Sequence, residues 1–217
     1  MNSPDLKNRK RFFLSIFCLS LFLLLQRPAI SLTERDQNPM ERREEKLRAF
    51  REKRDRFFKE DHGSPLKELD RKRFKGLSYY PIDLKYAMVG AIERFLSEPK
   101  PIYVNLPTTD KGKEKKYVKY GRFRFKLEGR EYVLQIYRPL GGGEFFLPFK
   151  DKTSETETHL GGRYLHIEQM ERGKVLIDFN RAYNPFCEFN GKYTCPLAPE
   201  ENWLGIAIRS GEKRFLK

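Results

Sequence analysis

Residues 122 to 127 read Arg-Phe-Arg-Phe-Lys-Leu, a strict alternation of cations and large apolar side chains. Successive side chains of a strand point to opposite faces, so this run needs one dry face and one wet face. It reads as a half-buried antiparallel strand, with Phe123, Phe125 and Leu127 inward and Arg122, Arg124 and Lys126 in solvent. Glu128-Gly129 supplies a turn, and Tyr132, Leu134 and Ile136 carry the apolar face back. Further strands are expected at 85–95, 101–106, 144–149, 162–169, 174–180 and 203–209, with Gly- and Pro-bearing turns between them. That spacing predicts a mostly β (α+β) fold: an antiparallel β-sandwich or partly closed barrel with an N-terminal amphipathic helix. Aromatic residues make up 14% of the chain, which supports a real core and excludes wholesale disorder.

The helix is expected over 38–61, where Asn38 can cap and Pro39 occupies the first helical position. Met40, Leu47, Phe50 and Phe57 recur at heptad-like spacing and give it one narrow apolar stripe. A helix of this kind docks on its own domain or, as the alternative, lies on an anionic membrane surface. Residues 111–119 (KGKEKKYVK) read as a basic loop feeding the cationic strand face.

Ahead of the helix, Lys7, Arg9, Lys10 and Arg11 precede an uncharged apolar run over 12–25, the layout of an export signal. As a helix that run covers about 21 Å, short of the roughly 30 Å hydrocarbon core. Ala29 and Ser31 fit a cleavage site before Leu32. The expected organisation is therefore a signal peptide over 1–31, a basic helix and linker over 32–76, and an antiparallel β domain over 77–217. An uncleaved anchor is the lesser alternative. The chain carries a formal charge of +14; removing 1–31 takes away five cations and one acid and leaves +10. In the periplasm or outside the cell, the polyanions such a body meets are lipid head groups and acidic glycans, so nucleic acid is set aside as a partner.

Resident chemistry has few candidates. The three histidines, His62, His159 and His166, share no helical i,i+4 spacing, and Cys187 and Cys195 are not a zinc knuckle, so no metal site is expected. Gly141, Gly142 and Gly143 lack the Lys-Ser/Thr of a P-loop, and no nucleophile elbow is present. No cofactor is expected. Cys187 and Cys195 enclose Asn190-Gly191, a strong hairpin-turn signal, and with export this favours a disulfide; the alternative is two reduced thiols packed as small hydrophobes. Asp178 and Asn180 project together from a strand end, and Arg163 on the expected partner strand could clamp Asp178 or a ligand. Tyr183-Asn184-Pro185 reads as a turn in which Asn184 bonds its own backbone.

The strings PFKDKTSETET, GGRYL, DFNRAYNPFCEFNGKYTCP, PEENWL and SGE, with RFFKEDHGSPL and FKGLSYYPID upstream, resemble the domain-of-unknown-function family 1684 over residues 45–217. The resemblance implies no activity. It does single out polar positions, with departures at Glu155 and His159. The candidate pocket drawn from them and from the strand-end reading is Asp151, Thr153, Glu157, Arg163, Asp178, Asn180, Tyr183, Asn184 and Asn202. The function expected is a binding module for a small polar or anionic envelope ligand. Two alternatives are a carboxylate-dependent hydrolase using Asp178 with Glu157 or Glu201, and a structural envelope protein contacting anionic lipid.

Overall fold

A computed structural model describes residues 38–95, 100–154 and 156–216. The expected signal peptide over 1–31 and the departure at Glu155 lie outside them. The chain divides into two compact units, Met1–Arg42 and Arg43–Lys217. Of the first, only the start of a helix is described.

That helix, α1, spans Pro39–Glu60. Asn38 caps it as expected, its Oδ1 accepting the Met40 N–H at 3.1 Å. The apolar stripe is shifted from the sequence reading. Met40 is 60% exposed, and the fully buried aromatic is Phe58 rather than Phe57. Phe58 packs edge-on against Phe189 with ring centroids 4.5 Å apart and stacks on Phe74. Leu47 is the other buried position. From Arg43 onward the helix is thus docked on its own domain, and burying one Phe contributes about 1.5–3 kcal/mol to that docking. A short helix, α2, follows at Glu68–Arg73.

Among the described residues, eight strands form two sheets. The larger is antiparallel and runs β2 (Ile102–Pro107), β3 (Glu114–Leu127), β1 (Ala87–Arg94), β8 (Lys174–Asp178), β7 (Ile167–Gln169), with β4 (Arg130–Pro139) also paired to β3. It does not close on itself. The smaller pairs β5 (Leu147–Phe149) with β6 (Arg163–Leu165). Between them lies the main core, where Phe123, Leu134 and Ile177 of the large sheet meet Leu147, Phe149 and Leu165 of the small one.

The 122–127 register is as expected: Phe123, Phe125 and Leu127 are buried, and Glu128-Gly129 turns with positive φ at both residues. On the outer face Arg122 donates to Glu93 at 2.7 Å, and Arg124 reaches Glu93 and Glu131. Residues 114–119, expected as loop, are instead the first half of β3. Pairing with β2 holds them, together with buried Tyr117 stacked 5.0 Å from Phe146. β3 therefore serves two neighbours on one edge, β2 along 114–119 and β1 along 121–123. The register shifts between Lys119 and Gly121. A Cβ at Gly121 would stand 2.6 Å from the Glu93 carbonyl, so only glycine lets β1 approach at this bulge.

Two more expectations are corrected. Residues 162–169 split into β6 and β7, which belong to different sheets. Residues 203–209 form no strand; Trp203 bridges Lys150, and the chain beyond is held by scattered backbone bonds, such as Lys152 N–H to the Ile206 carbonyl and Tyr80 N–H to the Gly211 carbonyl, together with side chains.

Candidate functional site

Most of the residues expected to line a pocket are tied into buried polar networks. Arg163 is fully buried on β6. Its Nη2 donates to Asp151 Oδ2 at 2.9 Å and to the Ile208 carbonyl at 2.8 Å. Its Nη1 donates to the carbonyls of Glu212, at 3.2 Å, and Ser210. Asp151 also accepts from the Ile208 N–H at 3.1 Å and the Thr153 N–H at 2.8 Å. The ion pair is thus embedded in backbone, and it pins 208–210 ahead of Gly211 and Glu212, whose backbone is bonded to Tyr80 and Ala182.

Asp178 does not meet Arg163 directly. β8 pairs with β1 and β7, not with β6, so the hairpin assumed from sequence does not exist. Asp178 Oδ1 accepts both N–H groups of Asn180, at 3.0 and 2.8 Å, and its Oδ2 accepts from Arg43 at 2.8 Å. A link to Arg163 runs through Ser210, whose hydroxyl donates to Asn180 Oδ1 at 2.9 Å. Asn184 does not bond its own turn; its Nδ2 donates to the Lys213 carbonyl at 2.7 Å and its N–H to Glu212 at 2.8 Å. Asn202 staples strands, donating to the Gln135 and Pro148 carbonyls at 2.9 and 2.7 Å. Glu157 sits apart at the surface, where Arg209 and the Tyr80 hydroxyl hold its carboxyl below the usual range. Glu201 accepts from Lys119 and Tyr137. Asp178, Glu157 and Glu201 are therefore each engaged by a different cation.

Cys187 and Cys195 are both free thiols, so the expected disulfide is not formed. They are nonetheless adjacent, with Cys195 Sγ accepting the Cys187 N–H at 3.2 Å. Asn190-Gly191 is no strand turn; Cys187 lies on a helical turn, α3, at Phe186–Phe189.

None of the nine candidate residues lines a cleft of about 860 Å³ beneath α1. α1 roofs it with Phe50, Lys53, Arg54 and Phe57. The opposite wall brings Tyr120 from β3, Arg138 from β4, Phe145 and Glu144 from the glycine-rich connection, and His166 and Arg181. Tyr183 comes closest among the predicted residues: its ring stacks 4.9 Å from His166 and lies under the Arg54 guanidinium at 4.8 Å.

The electrostatics of the cleft are lopsided. Arg54 is neutralised from below by fully buried Glu212. Burial pushes the Glu212 carboxyl up, and Arg54 pulls it back. Arg181 pairs with Glu168 at 3.1 Å and covers Phe50. Burial lowers the His166 pKa, which favours a neutral ring at pH 7 despite Glu144 at 3.3 Å. Lys53 and Arg138 are exposed and have no acidic partner among the described residues. Arg54 Nη2 and Arg181 Nε are buried donors with nothing to accept from them.

Sequence reasoning had no purchase on this cleft. Its walls come from Phe50 to Arg181, and of these Phe50 and Phe57 were read only as a helix stripe meant for the core. Among the described residues no helix is long and apolar enough to cross a membrane.

The model of the family described as Protein of unknown function (DUF1684) matches residues 72–213. The solution NMR structure of the uncharacterized protein from gene locus rrnAC0354 of Haloarcula marismortui is similar at 34% identity and a TM-score of 0.61, over 80% of this chain and 95% of that one. No match was found among curated proteins.

Proposed function

This chain belongs to the DUF1684 family of proteins of unknown function, and we propose that it is an exported binding module for a small anionic ligand with an apolar or aromatic body. The observation that carries this reading is the α1-roofed cleft. It joins four aromatic side chains, Phe50, Phe57, Tyr120 and Phe145, to the unpaired cations Lys53 and Arg138. Its volume of about 860 Å³ suits one small molecule. Apolar walls supply affinity and a few convergent polar groups fix orientation, the usual division of labour in ligand sites. Export to the periplasm or the exterior, after removal of 1–31, is supported by the cationic and apolar run at 7–25; recovery from the cell envelope of a protein beginning at Leu32 tests it.

The binding test uses thermal shift with three probes: octanoate, octyl phosphate and the neutral 1-octanol. Stabilisation grows as RT ln(1 + [L]/Kd), about 2.7 kcal/mol at a hundredfold excess over Kd. An anionic probe is expected to stabilise and the alcohol not to. Equal shifts from all three, or an undiminished shift in the Lys53→Gln/Arg138→Gln protein, would remove the cleft from consideration.

A further inference from the structure

A second cleft, of about 610 Å³, has Thr109 and His159 in its wall beside the apolar Leu106, Leu197 and Ala198. Both polar residues touch the cysteines. His159 Nε2 is 3.9 Å from Cys187 Sγ, and the Cys195 N–H donates to Thr109 Oγ1 at 3.1 Å. The other ring nitrogen, His159 Nδ1, lies 2.5 Å from Glu188 Oε2. Four elements converge here. Cys187 and Glu188 ride on α3, Cys195 on the loop after it, His159 on the loop before β6, and Thr109 on the turn between β2 and β3.

The imidazole is held in a fixed place. A Cβ at Gly161 would stand 2.8 Å from His159 Nε2, so any larger residue there would push the ring aside. Glu188 is itself oriented by the Phe215 N–H, which donates to its Oε1 at 3.1 Å. A thiol, an imidazole and a carboxylate in series is the arrangement that activates a sulfur nucleophile. Two cysteines that merely fill space need none of it.

The second thiol changes what the series can do. The Cys187 thiol hydrogen-bonds to Cys195, and this, with the backbone N–H of Cys187 and the nearby His159, holds the Cys195 thiol down to about 7 against the opposing effect of burial. The same contact pushes the Cys187 thiol up. Tyr117 and Tyr164 are the other titratable groups facing Cys195. One sulfur is therefore ready to attack and the other stays protonated beside a base. Cys195 is 7% exposed, which shuts out a protein disulfide and admits only a small oxidant.

We propose that Cys187 and Cys195 form a dithiol that reduces hydroperoxides, Cys195 attacking, Cys187 resolving, and the His159–Glu188 pair serving as the base for Cys187. In the first step the Cys195 thiolate attacks the outer oxygen of ROOH. An S–O bond forms, the O–O bond breaks, and a proton from solvent completes ROH, leaving Cys195 as a sulfenic acid. In the second, His159 takes the Cys187 proton and the Cys187 sulfur attacks Cys195. An S–S bond forms, the S–O bond breaks, and the hydroxide leaves as water with the proton from His159. The peroxide gains two electrons and the two thiols lose them. A low-molecular-weight thiol resets the pair by disulfide exchange. This chemistry is independent of what occupies the α1-roofed cleft.

The test is mass spectrometry of the reduced full chain, with peptide mapping to separate Cys18 from the pair. One equivalent of hydrogen peroxide or tert-butyl hydroperoxide is expected to remove about 2 Da, as a Cys187–Cys195 disulfide, and the more reactive of the two oxidants identifies the preferred peroxide. The Cys187→Ser protein stops at a gain of about 16 Da, trapped by dimedone at Cys195. The Cys195→Ala protein does not react at that dose. In His159→Gln the sulfenic acid accumulates, because closure slows by about a hundredfold with the base removed. Intact thiols in the wild-type protein after treatment with either peroxide, or a first adduct on Cys187, would overturn the proposal. Those two outcomes need no variant to fold.

Discussion

The Arg163 knot and the α1-roofed cleft use arginine in opposite ways. In the knot, both Nη atoms of Arg163 are met by one carboxylate and three carbonyls, and the guanidinium lies 5.2 Å over the Phe149 ring. In the cleft, Arg54 and Arg181 keep donors without acceptors, and Lys53 and Arg138 have no acid at all among the described residues. The first arrangement is closed because Arg163 is fully buried and both Nη atoms are used by the chain, with only its Nε lacking an acceptor among the described residues. The second is open, and the difference lies in exposed charge without an acidic partner rather than in residue type. Buried polar residues with characteristic spacing were reasonable pocket candidates from sequence, yet what marks the cleft is exposed charge that the fold leaves unpaired.

If that contrast is right, mutations in the two regions should fail in different currencies. The largest effect is expected from Arg163→Met, which strands Asp151 in the core without its cation and should cost about 3–5 kcal/mol in urea unfolding. A cost below about 1 kcal/mol would mean the knot is not what holds 208–210 in place. Next comes Asp178→Asn, which keeps the shape but removes the charge that Arg43 meets. The loss of one charge-assisted bond should cost about 1.5–3 kcal/mol and raise hydrogen exchange in the first turns of α1. By contrast, Lys53→Gln/Arg138→Gln should leave unfolding within about 0.5 kcal/mol of the parent while abolishing stabilisation by anions. A large loss of stability there would erase the distinction between the regions. The smallest and most local expectation concerns Cys195, the thiol held down to about 7. Its alkylation rate should rise through a midpoint of about 7, because the thiolate is the reactive form, with Cys187 lagging well above it.

What could be read from the sequence was local. The 122–127 alternation, the Glu128-Gly129 turn and the Asn38 cap each depend on neighbours within a few positions, and all three are in place. The first half of β3 was missed because Lys115 and Lys116 face solvent and break no rule for a loop; their strand character comes from β2. Arg163 was matched to Asp178 by assuming that adjacent strands pair, whereas β6 leaves the large sheet and finds Asp151 only 12 residues earlier. The shift from Phe57 to Phe58 in α1 has the same origin, because which side of a helix is buried is set by what it meets, here Phe189. Cleft residues from α1 and from Arg138 to Arg181 share no pattern at all, since their proximity exists only after the sheet is built. His159 drew notice merely as a departure from the family, and its partners Glu188 and Cys187 are 29 and 28 residues away.

The knot also sets an order of events. Arg163 draws two of its acceptors, the carbonyls of Ile208 and Ser210, from 45 and 47 residues downstream. During synthesis β6 is therefore complete in sequence long before its guanidinium can be quenched, and Asp151 alone repays too little of the cost of dehydrating it. Until 208–212 emerge, the nascent chain has every reason to keep that arginine in water and the small sheet unformed, so this architecture matures only after most of its polypeptide has been made.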